Sequence, residues 1–383
     1  MRIALYALAA ALALPACMAA AGENDRVETE AGAVSFTIES DASQRAKGDV
    51  QFALTRRTAT SRWTHSNTRR LADLDGVTAA QLGSADGTPV AFRLNRDAGA
   101  IECEGIARRW RATGDCRFAA NRDFAAELER RGHGRPTDAQ LFSLALHDVG
   151  RPWLEELKRQ GYANAPVADI VRAGDHGVGL DYLRGMGGHG YRVGSLAALI
   201  RMRDHGVTPE YVAEIGRHGL TGLSADEVVR LRDHGVTPSF VAGFRDSGYR
   251  FTTDELIRLR DHGVTPDYVQ ELARSGVKSI PAAQLAQLRA HGVSARYIGE
   301  MRRLGYDRFS SQDLIRLRDH GVSETYVSEL SAAGYAKLSV EELVKLRIHG
   351  VTGDFARRVN ASGGSRRSAD ELVALRIGGW AAR

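Results

Sequence analysis

The seven residues Arg203-Asp204-His205-Gly206-Val207-Thr208-Pro209 recur as Arg232–Pro238 and again as Arg260–Pro266. Looser copies centre on His147, His176, His291, His320 and His349, and a last one at Ile377-Gly378-Gly379 has lost the histidine. The histidines are 29 residues apart at every step except one of 28, from His234 to His262. A fixed period of this size is the mark of a repeat array, in which each unit buries its apolar face only against its neighbours.

The stretch Ser224–Gly248 shows how one unit reads. Ser224 is a helix N-cap, and Asp226 and Glu227 follow in the first turn, where the helix dipole favours acids. Val228, Val229 and Leu231 supply an inward face, and Arg230, Arg232 and His234 fall in the last turn, where cations are favoured. Gly235 ends the helix with a positive φ. Thr237 caps a second helix with Pro238 at its first position, and Gly248 stops it. Each unit is therefore an antiparallel helical hairpin whose helices are too short to be stable alone. Six residues after each histidine stands an aromatic: Trp153, Tyr182, Tyr211, Phe240, Tyr268, Tyr297, Tyr326 and Phe355. At fixed phase in an array, such a stripe reads as core rather than as a ligand-stacking surface.

The histidine ladder invites a metal reading, because Asp204-His205, Asp233-His234 and their copies carry the right atoms. Neighbouring hairpins stack about 8–10 Å apart, so two imidazoles can reach one ion and three cannot. Asp is also replaced at Ala290 and Ile348. No metal site is expected, and the histidines read as helix endings. A second idea is a pH switch, since stacked imidazoles would repel one another below about pH 6.5. Two positions before the histidine, Arg203, Arg232, Arg260, Arg289, Arg318 and Arg347 form a basic row; four before it, Arg201, Arg230, Arg258, Arg316 and Lys345 form another. Acids on the second helices, such as Glu210, Glu214, Asp267 and Glu271, make a counterpart. Ion pairs between repeats account for most of this pattern, and the first row is the candidate surface for an acidic partner.

Ahead of the array the period changes to two. Val34, Phe36 and Ile38 alternate with polar residues, and further runs follow at Val50–Arg57, Thr60–Asn67 and Val90–Arg96. Ile101 and Cys103 mirror Phe118 and Cys116 about a turn near Arg109-Trp110. Directly opposed residues have Cβ atoms about 4.5–5.5 Å apart, near what a disulfide needs, so a Cys103–Cys116 bond is expected. The arginines of this region, among them Arg56, Arg69 and Arg109, read as a solvated face rather than a polyanion site. A half-repeat at Asn121–Gly132, with Phe124 and Leu128, is expected to dock the sheet to the array.

The first residues carry Arg2, an apolar run from Ile3 to Leu14, and Leu14-Pro15-Ala16-Cys17. The run is too short to span about 30 Å of hydrocarbon and has the pattern of an export signal. Cys17 stands where a bacterial lipoprotein is cleaved and lipidated; cleavage after Ala19-Ala20-Ala21 would instead release a soluble periplasmic protein. The expected organisation is a signal peptide at 1–16, an acidic tether at 17–32, an antiparallel β domain at 33–120 and a helical solenoid at 121–383. The fold class is α+β.

Enzyme motifs are missing: there is no HExxH, no GxSxG and no phosphate loop. His65 with Asp73 and Asp75 is the one acid/base group in the β domain. No catalytic residue and no cofactor is expected. A net charge of +5 with interleaved signs carries no nucleic-acid signature. The pattern LRDHGVTPxYVxEL…GY, with Leu146-His147-Asp148-Val149 as its first copy, resembles the C-terminal repeats of bacterial membrane metallopeptidases of the beta-lactam-sensor/antirepressor type. The resemblance runs from about Val34 to the C-terminus and lacks the peptidase. It implies a stand-alone extracytoplasmic sensing or interaction module. The expected partner is a protein or a cell-wall polymer, with membrane contact through the N-terminal lipid anchor alone. The other reading is an accessory or inhibitory subunit of an envelope peptidase or cell-wall enzyme.

Overall fold

The computed structural model describes residues 33–57, 62–191, 194–363 and 365–380. The expected signal peptide, the tether and Cys17 lie outside the described residues. The chain forms two compact units, one running to Leu180 and the other from Asp181. Strands give way to helices near residue 120, as the change of period requires, but several helices belong to the same unit as the sheet.

In the first unit, β1 (Ala33–Glu39), β2 (Asp49–Arg57), β3 (Arg62–Arg70), β4 (Thr88–Arg96), β5 (Gly99–Arg108) and β6 (Arg111–Ala120) form one sheet in the order β3-β2-β1-β6-β5-β4. Every pairing is antiparallel. Two three-stranded meanders are thus joined through β1 and β6. Alternation puts Val34, Phe36, Ile38, Val50, Phe52, Leu54, Phe92, Leu94 and Ile101 on one buried face, as expected of a half-buried sheet. That face is covered by Leu74, Val77 and Leu82 from the β3–β4 connection, and by Phe142 and Leu146 of the helix Asp138–Leu146. The half-repeat helix Arg122–Arg130 forms as expected, capped by Asn121 and burying Phe124 and Leu128. The sheet's cover, however, is the next helix. The reason is visible in the sequence of that helix: Leu141, Phe142, Leu144, Ala145 and Leu146 are all buried, so it has apolar residues to spare for two neighbours.

The β5–β6 hairpin holds the expected register, with Cys103 opposite Cys116 and Ile101 opposite Phe118, and the disulfide is formed. Its two-residue turn puts Arg109 at φ 51° and Trp110 at φ 66°, the pair of left-handed conformations a type I′ turn needs. Each non-glycine residue there costs about 1–2 kcal/mol. Hydrogen bonds from Arg109 N to Ser84 O (2.8 Å) and Trp110 N to Leu82 O (2.5 Å) help to offset it. Two glycines, Gly105 and Gly114, face each other across this pair because Phe36 lies over them. A methyl carbon at Gly114 would sit 2.7 Å from the Phe36 ring and 2.0 Å from the Glu104 carbonyl oxygen. A short helix at Ala42–Lys47, between β1 and β2, was not foreshadowed by apolar period. Its signature is the reciprocal cap of Asp41 and Gln44.

From Leu180 onward helices of nine residues alternate to Ile348, and Gly353–Gly363 and Ala369–Ile377 follow. First helices of successive repeats pack on one another, and second helices do likewise. The array is therefore two-layered, as helical hairpins of this period must be. The caps follow the sequence reading. Ser195, Thr208, Ser224, Thr237, Thr252 and Thr265 each accept an amide hydrogen bond from the first turn. At the helix ends, Gly206 has φ 68°, its N–H bonds Arg203 O, and Val207 N bonds Met202 O. This is the paired closure of a glycine-terminated helix, with Val207 fully buried behind it.

Candidate functional site

The arginine row predicted as a partner surface is held by the array itself. The Arg232 guanidinium lies over the Tyr211 ring of the preceding repeat at 5.2 Å. Arg203 lies over Tyr182, Arg260 over Phe240, Arg289 over Tyr268, Arg318 over Tyr297 and Arg347 over Tyr326, all at 4.9–5.4 Å. Each pairing is attractive because the ring face carries negative quadrupole density. The same rings are buried, and four of the tyrosine hydroxyls reach forward. Tyr211 Oη donates to Val236 O (2.9 Å), Tyr268 to Val293 O, Tyr297 to Val322 O and Tyr326 to Val351 O. Those carbonyls lie between two helices and need a donor. Burial pushes the Tyr211, Tyr268 and Tyr297 phenols up to about 12, so they remain donors at any physiological pH. In these four repeats one aromatic is thus core, donor and cation platform together, while Phe240 is core and platform alone. The guanidinium row stays exposed at its outer edge.

Four members of the second basic row are paired, but with other acids than expected. Arg201 meets Asp226 (2.5 Å), Arg230 meets Asp254 (2.8 Å), Arg316 meets Glu341 (2.8 Å) and Lys345 meets Asp370 (2.5 Å). These acids sit in the first turn of the following first helix, not on the second helices. A second-helix acid such as Glu214 pairs within its own helix, with Arg217. Helix packing decides this, because first helices touch first helices.

The histidines are the capping residues of their helices, as read from the sequence. Their rings add a contact that the sequence period did not suggest. His205 Nδ1 lies 2.7 Å from Asp233 Oδ1, His234 Nδ1 2.8 Å from Asp261 Oδ1, and His291 Nδ1 2.7 Å from Asp319 Oδ1. Each of these three imidazoles meets a carboxylate of the next repeat, an arrangement opposite in sign to the self-repelling stack considered above. Among the described residues no group of three His, Cys, Asp or Glu stands close enough to hold a metal ion.

In the first unit a cavity of about 560 Å³ opens between β3 and the end of helix Asp138–Leu146. His65, Asn67, Arg69, Asp73, His147 and Asp148 line it. The His65 and His147 rings meet edge to face at 5.0 Å. Asn67 bridges them to the cation: its amide nitrogen is 3.4 Å from His65 Nε2 and its Oδ1 accepts from Arg69 Nε at 3.0 Å. His147 Nε2 is 3.2 Å from Asp175, whose Oδ1 also accepts from Ser143 Oγ. Of the acids read beside His65, Asp73 lines this cavity, while Asp75 bridges its backbone to Arg93. His147 was legible only as the first ladder histidine; its second place, beside β3, follows from the helix covering the sheet.

Burial, then the neighbouring charges of His147 and Arg69, hold His65 below the ordinary imidazole range. The folded state therefore disfavours the protonated ring relative to the unfolded chain. Stability from this group is complete above the unfolded value near 6.5 and is lost as pH falls toward the folded one. Asp175 does not compete in that window. Burial opposes its charge, but hydrogen bonds from His147 and Ser143 hold it below the usual carboxylate range. Protection of sheet amides against hydrogen exchange, corrected for intrinsic rate, is expected to drop between pH 7 and 5. His65→Gln should flatten that drop, and an unchanged slope in this variant would refute the assignment.

The joint and the sheet together define an α+β protein carrying a helical-repeat array. Compared with known proteins, the chain matches no family model and no curated protein. The metallopeptidase-type resemblance rests on the repeat motif alone. Among the described residues no helix is long and apolar enough to cross a membrane.

Proposed function

We propose that this chain is a non-enzymatic interaction or sensing scaffold of the bacterial cell envelope, binding a protein or cell-wall ligand through its helical repeats. In this reading residues 1–16 direct export and Cys17 carries the lipid that holds the chain to a membrane. The observation that supports it is the row Arg203, Arg232, Arg260, Arg289, Arg318 and Arg347. Six guanidinium groups are fixed at one per repeat by ring stacking, with their outer edges open to solvent. A row whose geometry is already set loses little entropy on meeting an acidic surface.

The test is capture from cross-linked envelope with the full chain and with an arginine-to-serine series. Each single replacement removes a stacking contact of about 0.5–1 kcal/mol, so thermal unfolding is followed alongside. One stoichiometric protein, captured less by the series and less at high salt, is the expected result. An envelope peptidase or cell-wall synthase in that position would select the accessory-subunit reading. Capture that ignores both salt and the arginines would remove the row from the binding surface.

A further inference from the structure

We infer that the joint between the helices Thr253–Asp261 and Ala282–Ala290 is a docking site for an acidic segment of a partner protein, whose carboxylates meet Arg258 and His262. This deepens the scaffold reading and rests on it only in taking the partner to be a protein.

The case is a break in an otherwise regular pattern. Where the basic residue four before the histidine is paired, its acid lies in the first turn of the next first helix, as in Arg230–Asp254 and Arg316–Glu341. Where the histidine is paired, its acid ends that helix, as in His234–Asp261 and His291–Asp319. For Arg258 and His262 those two positions hold Ala283 and Ala290. Among the described residues neither side chain has a hydrogen-bonding or charged partner, and both are exposed. Other joints of this unit lose less. His320 faces Ile348, but Arg316 keeps Glu341; Gln287 faces Gln312, where the cation is gone with the acid. Here both cations stay and both acids are missing.

The space the acids would have filled is a groove of about 210 Å³ with Ala283, Ala286 and Ala290 in its wall and Gln287 beside them. Positions 258 and 262 are four apart on one helix, about 6 Å along its axis. Two carboxylates at that spacing arise naturally in a protein segment, at i and i+4 of a helix or at i and i+2 of an extended strand. The guanidinium offers a planar fork and the imidazole a single N–H, both suited to carboxylate. The alanine wall would take the methylene groups of glutamate side chains.

The experiment uses the full chain with ¹³C-labelled histidine, the His262 signal being assigned by its loss in His262→Gln. The probe is a blocked pentapeptide with glutamate at its first and fifth positions, and its glutamine counterpart is the control. The glutamate peptide is expected to shift the His262 signal saturably and the glutamine peptide not to. Arg258→Ala should weaken binding about tenfold, the scale of one charge-assisted hydrogen bond. Ala283→Asp with Ala290→Asp restores the acids found at neighbouring joints and should abolish binding while the unfolding temperature holds or rises. A flat titration, or full binding by that double variant, overturns the site and leaves the scaffold reading to the capture experiment. Tighter binding of polyglucuronate than of the glutamate peptide would overturn the protein assignment.

Discussion

Replacing Cys103 and Cys116 together by alanine is expected to cost the N-terminal unit about 3 kcal/mol, the scale for removing a cross-link over a loop of this length. The bond joins residues 13 apart on adjacent strands, and Cys103 is buried beside Phe92, its partner on β4. Alanine avoids leaving a hydroxyl in that core, so the loss reports the cross-link and two sulfur atoms. Urea unfolding followed by exchange of sheet amides reads it, and reductant should lower the wild type toward the variant. A loss under about 1 kcal/mol would mean that the sheet is held without it. Two reactive thiols on the native protein isolated from its cells would show that the bond does not form there.

A second large effect is expected in the array. Tyr297 is 2% exposed, donates to Val322 O and carries the Arg318 guanidinium. Tyr297→Ala should cost about 3–5 kcal/mol, the range for emptying an aromatic core position. Tyr297→Phe removes only the hydroxyl and leaves the Val322 carbonyl without its donor, for about 1 kcal/mol. Because each repeat is stable only against its neighbours, the alanine loss should spread as faster amide exchange in the hairpins on either side. If the alanine variant loses no more than the phenylalanine variant, the ring is not the coupling element.

Much of the chain could be read residue by residue. Ser224 announces a helix N-cap that forms as read, and Glu227 reaches back to close it into a capping box. Gly206 and its copies announce left-handed helix ends, and Phe36, Ile38 and Cys103 announce one face of a sheet. These are local statements, governed by backbone conformation and by alternation over a few residues. Less of the candidate sites was legible. Arg232 reads as a free cation in the sequence because Tyr211 is 21 positions away. Asp233 reads as part of its own Asp-His pair, whereas its contact is His205 in the preceding repeat. His65 reads beside Asp73 and Asp75 in the sequence, and only helix Asp138–Leu146 brings His147 against it.

The sequence by itself determined the repeat length, the helix ends, the aromatic at each core position, the sheet's inner face and the Cys103–Cys116 register. Each follows from a period or a spacing, and both survive in one dimension. Only the tertiary structure decided which neighbour each charge meets. That choice depends on first helices packing on first helices, so a side chain's partner lies 20 to 28 residues away and is fixed by the stacking of layers. The same stacking turned the arginine row into a stapled edge, and it left Arg258 and His262 facing alanines where their neighbours face carboxylates.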